Sequence, residues 1–203
     1  MLYTLGQREL SRTLFPVGEL TKAEIRRLAR EWRLPNAQKP DSADICFIPS
    51  GDYRAFVQER VPARAGAIVD TDGERIGEHD GVHNYTVGQR RGLPARGGGE
   101  PLYVVGLNAE TNTVIAGENG DLAADGLIAE DLSFVSGEAP AGETAVHARI
   151  RYRSEPVPAT LRIDNERAEV QFASPQRAVT PGQAVVFYDG ERVLGGGSIV
   201  ERL

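Results

Sequence analysis

The chain has 203 residues, 23 of them Lys or Arg and 29 Asp or Glu, for a formal net charge of −6. A chain of this length buries roughly 70% of its unfolded surface, enough to fold without a disulfide or a structural metal. Its single cysteine excludes an internal disulfide and a zinc site built from its own cysteines.

No apolar run reaches the roughly 18 residues that would span a bilayer, and the start lacks the charged-then-apolar layout of a signal peptide. A soluble, cytoplasmic protein with no membrane partner is expected. Residues 1–60 hold 10 basic and 8 acidic side chains, 61–127 hold 5 and 10, and 128–203 hold 8 and 11. A strongly basic domain is the usual sign of a nucleic-acid binder, and this chain is not one. Yet only Lys22 and Lys39 among the cations are lysines, and the arginine fork suits phosphate. Net charge alone decides nothing about RNA.

In chain order, the first 60 residues read as helical. Thr21-Lys22-Ala23-Glu24 forms a capping box, with Leu20 and Ile25 placed as a hydrophobic staple. Ile25, Leu28, Ala29 and Trp32 then recur at helical spacing until Leu34-Pro35 stops the run. Ser50 is placed to cap a second short helix with Tyr53, Phe56 and Val57 turned inward. Beyond Pro62 turn signals recur along the chain: Asp72-Gly73, Gly97-Gly98-Gly99, Asn119-Gly120, Asp164-Asn165 and Asp189-Gly190. Strand-like runs lie between them at 102–107, 113–116, 146–152, 168–172 and 184–188. Short strands with tight turns indicate a barrel or sandwich. The glycine-rich stretch 117–126 reads as a linker before a last all-β unit starting near Leu127. The amphipathic start at Met1-Leu2-Tyr3-Thr4-Leu5 has nothing before it to pack on, so the chain is read as the rear part of something longer.

Cys46 is the lone thiol, between Ile45 and Phe47. It is either a small buried hydrophobe or a nucleophile and sulfur carrier, because reactivity needs nearby positive charge or a helix N-terminus. Lys39 is close, but so are Asp41 and Asp44, and the local charge does not choose. His79 and His83 stand four apart, yet Gly77 and Gly81 argue against a metal-binding helix. Tyr85-Thr86-Val87-Gly88-Gln89-Arg90-Arg91-Gly92-Leu93 sets a basic pair between glycines, without the lysine and Ser/Thr of a P-loop. Gly195-Gly196-Gly197 reads as a bulge or a close strand approach. Were 149–153 a strand, Arg149, Arg151 and Arg153 would share one face and Ile150 and Tyr152 the other. That face either follows a phosphate backbone or is a solvated exterior over a core of Ile150 and Tyr152.

Taken in order, Leu14-Phe15-Pro16-Val17-Gly18, Lys22 with Glu24-Ile25-Arg26, Asp41-Ser42, Ile45-Cys46-Phe47-Ile48, the tyrosine-to-leucine motif at 85–93, Arg151-Tyr152-Arg153, Ala178-Val179-Thr180-Pro181-Gly182-Gln183, Val186-Phe187-Tyr188 and Leu194-Gly195-Gly196-Gly197 resemble the tRNA-specific 2-thiouridylases. The resemblance spans nearly the whole chain. It implies a mainly β fold with a short helical N-terminal segment, then a small central β-rich domain. A C-terminal six-stranded β-barrel similar to translation-factor barrels follows. The implied domains are 1–62, the helical remnant of an ATP-pyrophosphatase domain; 63–126, central; and 127–203, the tRNA-contacting barrel.

The implied enzyme is a tRNA-uridine 2-sulfurtransferase that replaces the C2 oxygen of the wobble uridine with sulfur, using ATP with Mg and a cysteine persulfide. Cys46 matches the persulfide cysteine. Arg151, Tyr152 and Gln183 match tRNA contacts, with Arg149 and Arg153 as weaker candidates. The family's Ser-Gly-Gly-x-Asp-Ser ATP loop and its second cysteine are absent from these 203 residues, so no ATP site, no resident metal and no independent turnover are expected here. The expected partners are tRNA and a sulfur-donor protein, and the expected state is a monomer. The alternatives are a non-catalytic RNA-docking β module with a structural cysteine and, less favoured for want of a paired His or acid, a cysteine hydrolase.

Overall fold

The computed structural model describes residues 2–39, 48, 53–61, 64–95, 100–152 and 154–203. Two compact units divide the chain, Leu10–Pro62 and the remainder, Met1–Glu9 with Ala63–Leu203.

In the first unit, helix α2 (Lys22–Glu31) follows a four-residue turn of helix, α1 (Gln7–Leu10), that straddles the division between units. The expected capping box is present: Thr21 Oγ1 accepts from the Glu24 N–H, and the Glu24 carboxylate accepts from the Thr21 N–H at 2.7 Å. The helix ends in a Schellman arrangement, with the Leu34 N–H on the Ala29 carbonyl and the Arg33 N–H on the Arg30 carbonyl. Arg33 fills the left-handed position, φ 54°, where glycine is usual. Ile25, Leu28 and Ala29 are half-buried, but Trp32, expected on the same inward stripe, is 69% exposed. It caps the helix, one step beyond the last residue that the stripe turns inward. Helix α3 (Tyr53–Gln58) keeps Phe56 and Val57 half-buried.

The second unit is β. Strands β1 (Gly66–Val69), β2 (Arg75–His79), β3 (Tyr103–Asn108) and β4 (Thr113–Gly117) form a sheet in the order β2-β1-β4-β3. Its β1–β4 pair is parallel. Ile68, Leu102, Val104, Val114 and Ala116 fill its core.

Strands β5 (Ala123–Phe134), β6 (Glu143–Arg149), β7 (Val157–Asp164), β8 (Arg167–Arg177), β9 (Ala184–Asp189) and β10 (Arg192–Arg202) close a six-stranded barrel in the order β10-β5-β8-β7-β6-β9. Every pairing in it is antiparallel. Residues alternate in and out, as the strand period of two requires: Ala159 and Leu161 of β7, Ala168, Val170 and Phe172 of β8, and Val185 and Phe187 of β9 point into the core.

The stretch 117–126 is not a linker. Its Leu122 is fully buried and clusters with Val105 and Ala178, joining sheet to barrel, and β5 already begins at Ala123. The polar composition hid one apolar side chain that anchors the junction. Nor does the 146–152 run form one strand: β6 stops at Arg149, for the reason given below. The glycine triplet 195–197 lies buried in β10, flanked by register shifts against both neighbouring strands. A methyl group on Gly197 would sit 2.6 Å from the Glu130 carbonyl oxygen. The chain start returns to the barrel: the 3-10 turn Leu2–Thr4 lays Tyr3 against Gly196, and the Gln7 amide donates to the Val135 carbonyl at 3.0 Å.

Candidate nucleic-acid interface

The Arg-Ile-Arg-Tyr segment leaves the barrel at the end of β6. Ile150 is 6% exposed and belongs to the core. At Arg151 the chain turns: the Ser154 N–H and hydroxyl both donate to the Arg151 carbonyl, at 3.2 and 3.0 Å. The Arg151 guanidinium donates through one nitrogen to the Arg177 carbonyl and, at 2.6 Å, to the Ala178 carbonyl. This clip ends the strand. Three arginines on one strand face and a buried Tyr152 are therefore both corrected: Tyr152 stands 93% exposed at the tip of the turn. Arg153 and Cys46 lie outside the described residues.

Arg149 remains on β6, on the outer side shared with His147 and Tyr188. Its guanidinium carbon is 5.4 Å from the Tyr188 ring centroid, within cation–π reach, and its Nε is buried without a hydrogen bond.

The second half of the site is the loop between β8 and β9. Ala178 adopts φ 54°, a conformation that side chains other than glycine rarely take. Three bonds and a packed methyl hold it there: its N–H donates to the Leu122 carbonyl at 2.8 Å, its carbonyl accepts from Arg151 and from Thr180 Oγ1, and its Cβ packs in the junction cluster. Thr180-Pro181-Gly182-Gln183 then makes a turn closed by the Gln183 N–H on the Thr180 carbonyl at 3.2 Å. Proline second and glycine third, with Gly182 at φ 85°, are what a type II turn demands. The Gln183 carbonyl accepts from the Ile199 N–H at 2.8 Å, tying the turn to β10 and leaving the side chain exposed. Arg151 and the 177–183 loop are thus joined directly. Gln183 shares that loop, while Arg149 sits separately beside β9.

Arg177 escaped sequence reasoning. Its Nε donates to Asn119 Oδ1 at 3.0 Å and its guanidinium carbon lies 5.1 Å from the Tyr103 ring centroid, across the junction. No local pattern marks it, since its partners lie far away in the chain.

His79, read as half of a weak metal pair, spends both ring nitrogens on the protein. Nδ1 accepts from the Gly81 N–H at 3.0 Å, and Nε2 donates to the Asn112 carbonyl at 3.1 Å. Among the described residues no three His, Cys, Asp or Glu side chains are grouped to hold a metal. A hollow of about 1040 Å³ on the barrel is lined by Glu130, Asp131, Asp164 and Glu166, and its Arg167 is ion-paired with Glu130. Like charge excludes that hollow as a phosphate site. The Arg151–Tyr152 turn instead offers an exposed aromatic ring, next in sequence to an arginine that is bonded to the 177–178 carbonyls; an exposed aromatic ring is the kind of surface on which a base can stack.

Fold and site together define a barrel-and-sheet β protein. Residues 124–199 match an aminomethyltransferase beta-barrel domain, 54–118 a tRNA methyl transferase PRC-barrel domain, and 1–50 a tRNA methyl transferase HUP domain. The chain is 49% identical over 202 residues to the tRNA-specific 2-thiouridylase MnmA of Roseiflexus castenholzii, covering 98% of this chain and 54% of that protein. To the namesake of Carboxydothermus hydrogenoformans it is 46% identical over 206 residues, with 100% and 56% covered. For that of Nostoc punctiforme the figures are 45% over 200 residues, with 98% and 57% covered. The chain belongs to the tRNA-specific 2-thiouridylase family, and it spans about half the length of the curated relatives it matches.

Proposed function

We propose that this chain is the tRNA-docking and sulfur-carrying part of a tRNA 2-thiouridylase, acting in the cytoplasm as a monomer. Residues 63–126 and 127–203 serve as its central and barrel domains, and 1–62 bring the cysteine motif. Tyr152 stacks on the nucleic acid. Arg151 positions that turn, while Gln183, Arg149 and Arg153 add polar contacts. Cys46 receives sulfur from a donor protein as a persulfide and presents its outer sulfur to C2 of the wobble uridine, a persulfide being a strong nucleophile at neutral pH. The observation that carries the docking half is the exposed Tyr152, on a turn clipped by Arg151 to the 177–183 loop.

The family's use of ATP is part of this reading, but the described residues do not fit an ATP cradle. The glycine triplet is buried in β10, where an added methyl on Gly197 would meet the Glu130 carbonyl. The Gly88–Gly92 loop spends the Gly88 N–H on the Val104 carbonyl. No step is therefore routed through ATP here. The test is mass analysis after incubation with a sulfur-donor protein. The chain should gain one sulfur atom at Cys46, and Cys46→Ser should gain none. An unmodified, alkylation-resistant Cys46 in a chain that still binds tRNA would reduce the protein to a docking module.

A further inference from the structure

The motif at 85–93 has no role in the reading above, yet its loop is built with care. Gly88 and Gly92 take φ 88° and 83°, left-handed conformations that admit the tight bend. The Gly88 N–H donates to the Val104 carbonyl and the Val104 N–H to the Gln89 carbonyl, both at 2.8 Å, so the loop is laced to β3. The Tyr85 hydroxyl donates to the Gly92 carbonyl at 2.9 Å, and the Gln89 amide to the Arg91 carbonyl at 2.7 Å.

Every one of these bonds shapes backbone. The two side chains at the tip, Arg90 and Arg91, are exposed and have no hydrogen bond or ion pair among the described residues. Elsewhere in this unit Arg75, Arg162, Arg167 and Arg192 are ion-paired, Arg151, Arg177 and Arg202 are bonded to carbonyl or amide oxygens, and Arg149 lies over the Tyr188 ring; exposed Arg64 is the other arginine whose side chain has no hydrogen bond or ion pair among the described residues. In a chain of net charge −6, two adjacent guanidinium groups on a backbone fixed by these bonds, without a partner among the described residues, are placed to meet an external anion.

The loop also lies beside the docking turn. A Cβ on Gly88 would stand 3.2 Å from the Ala178 Cβ and 3.8 Å from Arg177 Nη1. The carbonyls of these same two residues hold Arg151. We propose that the Arg90–Arg91 tip is a second RNA contact, binding backbone phosphates of the tRNA whose base stacks at Tyr152. This inference rests on the docking reading above. Glu100 lines the same 300 Å³ hollow as Arg90 and is the acidic neighbour that weakens the contact.

The experiment is binding of an unmodified tRNA transcript to the full chain across a salt series. Arg90→Ala/Arg91→Ala should weaken binding about tenfold near 0.1 M salt and make the log–log salt slope shallower by about 1.5, as the loss of two phosphate contacts requires. Arg90→Lys/Arg91→Lys should keep the slope, and Glu100→Gln should tighten binding. If the alanine pair binds with unchanged affinity and slope while Tyr152→Ala weakens binding, this inference is overturned and the docking turn stands. If neither the pair nor Tyr152→Ala weakens binding, both fall.

Discussion

Replacing Gly196 by alanine tests a crowded joint of the barrel. An added methyl would sit 2.8 Å from Cδ2 of Tyr3 and closer still to the Val185 carbonyl oxygen of the neighbouring strand. Real contacts of this kind need over 3 Å, so β9 and β10 must part and the Tyr3 ring must also move. Overpacking of this sort costs about 1–3 kcal/mol, against a gain of about 0.5–1 kcal/mol from restricting the unfolded chain. The expected net loss is about 1.3 kcal/mol. For a unit of this size that lowers the melting midpoint by about 3–5 °C, read from the far-ultraviolet β signal because the single tryptophan, Trp32, lies in the other unit. Tyr3→Ala removes one obstacle but not the Val185 carbonyl. The double variant should therefore recover only part of the loss, with a coupling of about 1 kcal/mol. An unchanged or raised midpoint in Gly196→Ala would refute the account of why glycine stands there.

Phe187→Ala, at a fully buried position paired with Ala148, should cost about 3–5 kcal/mol in denaturant unfolding. Arg33→Gly should strengthen α2 by about 1 kcal/mol, measured by helical circular dichroism, since it relieves a left-handed arginine. The Thr21 hydroxyl, then the Thr21 N–H and the Arg27 charge, hold the Glu24 carboxyl below its ordinary 4.5. Because the folded value is the depressed one, the box stabilises α2 above pH 4.5 and loses that contribution as pH falls through the folded value; Thr21→Ala removes the hydroxyl, the largest cause, but keeps the backbone N–H and Arg27, so it should reduce the dependence without abolishing it. Tyr152→Ala should weaken tRNA binding by about 1–3 kcal/mol with an unchanged salt slope, because stacking releases no counterions.

Local features were legible because their causes are local. The capping box, the turns at Asp164-Asn165 and Asp189-Gly190, and the alternation of β8 and β9 all follow from contacts within a few residues. The close strand approach at 195–197 was legible too, since three glycines inside a strand leave little else to do. What misled was alternation without its ending. Val146 through Tyr152 keeps strand character in composition, and only the carbonyls of Arg177 and Ala178, 26 and 27 residues away, bend it after Arg149. Leu122 looked like linker because its partners, Val105 and Ala178, come from either side of the stretch.

The sequence by itself determined the β character, the helix start at Thr21, the family and the residues worth watching, since side-chain chemistry and short-range spacing are written in order along the chain. Tertiary structure alone decided that Tyr152 faces solvent, that Arg151 holds a turn, and that Gly88 of the 85–93 loop packs on Ala178, whose carbonyl holds Arg151. Those outcomes depend on which carbonyls and faces meet when a barrel closes, and closure brings together residues whose separation in the chain carries no trace of their contact.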